Sequence, residues 1–336
     1  MPWGLECAPA ARRIKAAIKE DIPTISFSVL ITSLVGLFLL LGTGFFAVRA
    51  RLVPMSGFDP LVSLLMKIAL PATVFTSLIR PFEADFLLDG ATIFVLGLVT
   101  FSLFSAVSLG LSRVLRISPQ RRGTWSFSSA YGNCGFIGYP VAYALFGDEG
   151  LSLAVIMGAA FNLLCYTLGA AMVRMDAPAG ERGGGGAGWR EVLCTPINGS
   201  ILLGLVFYCG QIPVPEVLMT PLQHLSNLTT PLSMLVTGMS LAQGKIAEHI
   251  RDREAILASA VRLLACPVLA WAVMLPLPSQ NPLVVSVTLV LVSMPTAAAA
   301  TILARQYGGN IQLGVRSIFL SSILSIVTIP LVSLLL

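Results

Sequence analysis

Helix-breaking and hydrogen-bonding residues are densest at Tyr131-Gly132-Asn133-Cys134-Gly135-Phe136-Ile137-Gly138-Tyr139-Pro140. Three glycines and a proline within nine residues cannot make an ordinary helix interior, because Gly forfeits backbone entropy and Pro lacks an N–H donor. A second interruption is Ser293-Met294-Pro295-Thr296, followed by an alanine run. Both sit in apolar surroundings. Where a helix unwinds inside a bilayer, its freed peptide groups must line protein or a wet cavity. The N-termini of the half helices so formed carry partial positive charge and favour an anion. The chemistry implied is capture of a negatively charged solute. Asn133 adds an amide that donates or accepts without the cost of a buried charge. It would touch the solute or cap the broken helix; the alternative is a packing asparagine bonded to a neighbouring helix.

Other polar residues fall inside apolar stretches. Lys67 lies about one turn before Pro71. An ionisable group at that depth costs at least about 2.5 kcal/mol and ordinarily faces a cavity or partner. Its ammonium would attract a carboxylate, or else snorkel to the interface from near a span end. Asn162 and Tyr166 are one helical turn apart and share a face, as part of a polar wall or as interhelical hydrogen-bond partners. Arg262 and Arg316 are further intramembrane candidates with no obvious carboxylate partner, unless Glu254 or Asp148 lies near. No acidic residue is central in any apolar stretch, which weakens a carboxylate-based proton or sodium relay. The six cysteines (Cys7, Cys134, Cys165, Cys194, Cys209, Cys266) are scattered without paired spacing, and His224 and His249 are isolated. Neither a disulfide framework nor a metal site is expected, and no cofactor is called for. Gly132-x-Cys134-Gly135 resembles a nucleophile turn only superficially, with no nearby histidine base, so a membrane-embedded enzyme is disfavoured.

These residues need elements to hold them, and composition says which. Of 336 residues, 56% are hydrophobic and 11% charged, with mean hydropathy +0.86. Soluble domains are about 25% charged; this chain needs lipid as part of its solvent. Nearly continuous apolar runs, rather than alternating segments of about 10 residues, select helices over a barrel. Ten spans are expected, at 26–48, 58–79, 88–112, 123–146, 150–172, 195–211, 218–242, 255–276, 282–305 and 312–335. Residues 1–23 read as a basic N-terminal arm and not a cleavable signal. Residues 174–192 read as a linker, with Gly183 to Gly186 in a row. They divide the chain into halves at 24–173 and 193–336.

Basic residues set the orientation. One side collects Arg49, Arg51, Arg113, Arg116, Arg121, Arg122, Arg174, Arg182, Arg190, Lys245, Arg251, Arg253 and Arg305. The other has Arg80 and the arm's Arg12, Arg13, Lys15 and Lys19. The heavier side is expected in the cytoplasm, which places both termini outside a plasma (inner) membrane and the linker within the cell. The basic arm alone would argue the reverse.

Five spans per half, an odd number, would invert one half relative to the other. A shift of 160 residues brings Pro71 onto Pro231, Lys67 onto Asn227 and Gly135 onto Pro295. One further residue of gap brings Phe146-Gly147 onto Tyr307-Gly308. Interrupted segments at matching places in two halves point to a transporter's binding site.

The run Gly132-Asn133-Cys134-Gly135-Phe136-Ile137-Gly138-Tyr139-Pro140 resembles the Asn-x-Gly-x-x-Gly-x-Pro pattern of the auxin efflux carrier family, which holds plant PIN-type carriers and microbial malonate and malate permease-type proteins. Ala69-Leu70-Pro71-Ala72, Pro231-Leu232, Gly238-x-Ser240-Leu241, Met294-Pro295 and Thr328-Ile329-Pro330-Leu331 support it, over residues 26 to 336. The resemblance implies an all-α membrane protein of ten helices in two inverted five-helix repeats, with broken, crossing helices four and nine, in a bile-acid/sodium symporter-like fold. It implies a scaffold of spans 1, 2, 6 and 7, a moving domain of spans 3–5 and 8–10, and an elevator-type carrier of a small carboxylate. Asn133, Pro140 and Pro295 inherit crossover roles. The short linker favours the microbial branch, and Ser293-Met294, where plant carriers place an asparagine, argues against auxin. Candidate substrate-binding residues are thus Asn133, Gly135, Pro140, Ser293, Pro295, Lys67, Asn227, Asn162 and Tyr166. Candidate helix-break residues are Gly132, Gly138, Pro71 and Pro231. The expected partners are a small organic anion, the lipid bilayer and a second copy of the chain, without nucleic acid. A passive channel or a receptor for an organic anion is the competing reading.

Overall fold

The computed structural model describes residues 27–177, 195–242, 250–275 and 281–333. The N-terminal arm and most of the glycine-rich linker expected from the sequence lie outside the described residues. Among the described residues the chain is helical, with one isolated antiparallel bridge between Gly132 and Thr296 and no strand.

The described residues form twelve helical segments in succession: α1 (Phe27–Arg49), α2 (Met55–Leu78), α3 (Ala84–Val114), α4 (Arg122–Ala130), α5 (134–146), α6 (148–174), α7 (Pro196–Gly210), α8 (Glu216–Leu241), α9 (Arg253–Met274), α10 (Pro282–Val292), α11 (Ala299–Tyr307) and α12 (Ile311–Ser333). Among the described residues, five stretches are long and apolar enough to cross a membrane: Met55–Leu78, Ala84–Val114, Cys134–Arg174, Arg253–Met274 and Ile311–Val332. The 41-residue stretch is divided at Gly147, whose φ of 65° and ψ of −155° no helix contains. The chain folds back there, since Gly158 of α6 leaves room for the Tyr139 hydroxyl of α5. Gly308, with φ 71°, turns the chain between α11 and α12 in the same left-handed region.

The helices pack in two groups. α1 runs along α8, and α2 along α7 and α8. Contact between α1 and α8 is backbone to backbone: a Cβ on Gly238 would lie 1.9 Å from the Leu41 carbonyl oxygen. Helices in lipid lack a hydrophobic drive to associate, so small residues that admit close approach supply the packing. The Thr73 and Thr229 hydroxyls, 2.7 Å apart, join α2 to α8. In the second group α3 packs on α6 and α4, α9 on α12, and α10 on α5–α6. Its core is aromatic: Tyr131 stacks between Phe101 and Phe127, and its hydroxyl accepts from Ser105 and donates to the Leu164 carbonyl.

Most of the candidate helix-breaking prolines and glycines lie within helical segments rather than ending them. Pro71 follows a π-helical turn at Leu65–Ala69, Gly138 closes another at Cys134–Gly138, and Pro140 sits in the first turn of ordinary helix beyond it. Pro231 lies inside α8 without interrupting it. The breaks are confined to 131–133 and 293–298.

Candidate functional site

The two breaks meet. The Asn133 N–H donates to the Pro295 carbonyl (2.6 Å), and the Ala297 N–H donates to the Tyr131 carbonyl (2.9 Å). These bonds frame the bridge between Gly132 and Thr296 and satisfy peptide groups that unwinding would otherwise strand. Thr296 is tied on two more sides, its N–H donating to Ser321 Oγ of α12 and its hydroxyl to the Ser128 carbonyl of α4. Asn133 Oδ1 accepts from the Phe136 N–H (3.0 Å), making Asn133 the N-cap of α5.

Arg262 joins the crossing from α9. It is fully buried, and its guanidinium donates to three carbonyls: Nη1 to Ala130 (2.7 Å), Nη2 to Val292 (2.6 Å) and Nε to Met294 (2.9 Å). Ala130 and Val292 are the last residues of α4 and α10. One planar cation therefore occupies the C-terminal ends of two helices, where carbonyls lack partners and the dipole is negative. Among the described residues no carboxylate pairs with it. Glycine at 132 is required by this arrangement, because a Cβ there would lie 2.3 Å from Arg262 Nη2. Arg262 was legible in the sequence only as an intramembrane arginine. The available signal was its place five residues before Pro267, much as Lys67 precedes Pro71.

A cavity of about 560 Å³ lies between the two helix groups. Val48 of α1, Val62 of α2 and Ser240 of α8 line one wall; Phe136 of α5, Thr301 and Arg305 of α11, and Phe319 of α12 line the other, with Ala298 just ahead of α11. The first turns of α5 and α11 both border it. Gly135, next to Phe136, has open space where a side chain would stand. Its charged lining residues are Arg305 and Asp59, which sequence reasoning did not single out.

The sequence-derived candidates separate into those at the crossing and those elsewhere. Asn133, Gly135, Pro140 and Pro295 are at or beside it. Ser293 is buried and its hydroxyl donates to the Leu289 carbonyl of its own helix (2.6 Å). Lys67 is exposed on α2 beside Leu64 and Ile68, and Asn227 is exposed on α8; neither lines the cavity. Asn162 Nδ2 donates to Asn198 Oδ1 (3.2 Å), a contact between α6 and α7 and hence between the groups. Tyr166, one turn on, is half-buried against the main core.

The far end of α4 is anchored by carboxylates. Asp176 accepts from the Gly123 N–H (2.6 Å), the Thr124 N–H (2.8 Å) and the Thr124 hydroxyl (2.6 Å), capping α4. Burial pushes its pKa up, against the lowering by these hydrogen bonds. Arg316, expected to have no obvious carboxylate partner unless one is near Glu254 or Asp148, pairs with Asp252 (2.7 Å), two residues before Glu254; Asp252 also takes Arg121, and Arg121 reaches Glu254 as well (2.9 Å). The spacing of 64 residues hid the Asp252–Arg316 pair. Burial acts to raise the Asp252 pKa, but hydrogen bonds from Arg121 and Arg316 more than offset it and hold the group below its ordinary value.

Known proteins share this chain's pattern along its length. A family model described as membrane transport protein matches residues 29–182 and 186–333. An "Uncharacterized transporter" of Methanothermobacter thermautotrophicus is 30% identical over 271 residues, covering 81% of this chain and 86% of the relative. A "Putative malonate transporter" of Rhizobium meliloti is 25% identical over 295 residues, covering 83% and 88%. With apolar helices along its length and that match spanning both halves, the chain is a multi-pass membrane transport protein and belongs to the auxin efflux carrier family.

Proposed function

We propose that the protein is a carrier of a small organic anion, a carboxylate, working by an elevator-type alternation of access. The observation that carries this is the crossing of two broken helices beside a cavity bordered by the first turns of both α5 and α11. Helix N-termini favour negative charge, Arg305 adds a cation to the cavity wall, and the name of the Rhizobium meliloti relative points to a dicarboxylate. In this reading α4–α5 and α10–α11 are spans four and nine of a ten-span, inverted-repeat chain. Gly147 and Gly308, which the repeat alignment pairs, both turn the chain with positive φ and so support the correspondence. The group of α1, α2, α7 and α8 is the scaffold, and the group carrying the crossing moves. The cavity faces the end rich in Arg and Lys, the cytoplasm by the positive-inside rule, in an inner membrane with both termini outside.

Purified protein in vesicles loaded with unlabelled malonate should accumulate external labelled malonate transiently and saturably. Flux that rises without saturation and shows no counterflow would identify a channel instead. Absence of both flux and binding would remove malonate and its class from consideration.

A further inference from the structure

The charge arithmetic at the crossing singles out Arg262. A helix end carries roughly half an elementary charge. The C-terminal ends of α4 and α10 thus bring about one negative charge to the crossing, and the first turns of α5 and α11 bring about one positive charge. Left alone, the two pairs of ends would cancel, and an anion would find little net attraction. Arg262 lies against the negative ends and donates to the terminal carbonyl of each. A guanidinium is a fixed positive charge in proteins, and no carboxylate pairs with this one among the described residues. The ion pairs of Arg121 and Arg316 with Asp252 and Glu254, at the far end of the same group, balance in formal charge.

We propose that Arg262 is a positioning residue that also sets the charge of the solute: it cancels the negative helix ends, and so leaves the positive ends of α5 and α11 free to hold the carboxylate. This rests on the reading of the cavity as an organic-anion site. A consequence is that the loss on removing the charge scales with the charge of the ligand, whereas the loss from a merely loosened crossing does not.

The test uses malonate, a dianion at pH 8, and monomethyl malonate, a monoanion of similar shape. Binding of each to purified wild type, Arg262→Gln and Arg262→Lys is measured by calorimetry. Arg262→Gln should weaken monomethyl malonate about tenfold and malonate about a hundredfold, the Coulomb term being proportional to ligand charge. Arg262→Lys, which keeps the charge and loses the planar fork, should keep the wild-type ratio of the two affinities. An unaltered ratio in Arg262→Gln overturns the inference. If neither variant folds, homoexchange by Arg305→Gln protein in vesicles decides. With the Arg305 cation on the cavity wall removed, the site keeps the one fixed positive charge of Arg262 and is neutral with a monoanion aboard, so monomethyl malonate exchange should be the same with and without a potential of about 100 mV. Malonate exchange should change severalfold; the opposite pattern overturns the inference. Wild type that binds neither ligand contradicts the anion-carrier reading itself and not the role of Arg262 within it.

Discussion

A guanidinium with no exposure to solvent survives at the meeting of two helix ends because its donors match carbonyls that have no other partner. Each such carbonyl left unsatisfied costs about 1–3 kcal/mol, so Arg262 and the crossing stabilise each other. The neighbouring glycine follows: Gly132→Ala drives a methyl group into the guanidinium, and overpacking of this kind costs about 1–3 kcal/mol. The thermal midpoint of the purified variant should fall, and malonate uptake with it. Asn133 acts through its carbonyl oxygen as an N-cap. Asn133→Ala should lose about 1 kcal/mol of stability, and Asn133→Ser should recover most of it, because Ser caps comparably; equal losses in melting experiments would refute capping. Lys67, exposed on α2 and outside the cavity, should tolerate Lys67→Ala with uptake changed by less than about twofold (under 0.5 kcal/mol, the ordinary effect of a surface substitution). Glycines and prolines announced the break in the sequence because backbone geometry is a local property. What the break binds to was hidden, because Thr296 with Ser128, and Arg262 with Ala130, are pairs that only the folded chain brings together.

At the scale of the element, α4 has nine residues and α11 nine, lengths at which an isolated helix is marginal. α4 persists because both its ends are held. α4 begins on the Asp176 carboxylate and ends on the Arg262 guanidinium, an anion at the positive end and a cation at the negative end. Asp176→Ala should remove the cap and cost about 1 kcal/mol, read as a lowered melting temperature that Asp176→Asn partly restores. Asp252 ties α4 to α12 through Arg121 and Arg316 while capping α9. Its folded pKa is depressed, so its contribution is present above the unfolded value of about 3.9 and is lost as pH falls through the lower folded value. Stability should drop in that acid range, and Asp252→Asn should show the loss already at neutral pH with a flatter acid limb. Asp176 has the opposite sign: with its pKa raised by burial, the contribution from its titration is complete below the unfolded value and fades as pH rises through the folded one. The spans themselves were readable as apolar runs. Their π-helical turns at Leu65–Ala69, Cys134–Gly138, Cys165–Gly169 and Val261–Ala265 were not, because one inserted residue in a helical turn leaves no periodicity in sequence.

For the whole molecule, an elevator requires that one group of helices slide as a body against the other, so contacts within a group persist while contacts between groups break in each cycle. Two side-chain pairs can serve as probes, one of each kind. Thr73 and Thr229, 2.7 Å apart at their hydroxyls, join α2 to α8 inside the proposed scaffold. Asn162 and Asn198, 3.2 Å apart at their amides, join α6 to α7 across the divide. Each pair can be replaced by cysteines in a background with Cys7, Cys194 and Cys209 changed to Ser, since the remaining native thiols, Cys134, Cys165 and Cys266, are buried. Crosslinking the pair at 162 and 198 with a short bifunctional thiol reagent should stop malonate counterflow, and a reducible crosslinker should let it resume on reduction. Crosslinking the pair at 73 and 229 should leave counterflow near its uncrosslinked rate. Transport that continues with residues 162 and 198 fully joined would mean that α6 and α7 keep their contact throughout the cycle. The solute would then have to cross by a smaller movement, of α11 and the Arg305 wall alone.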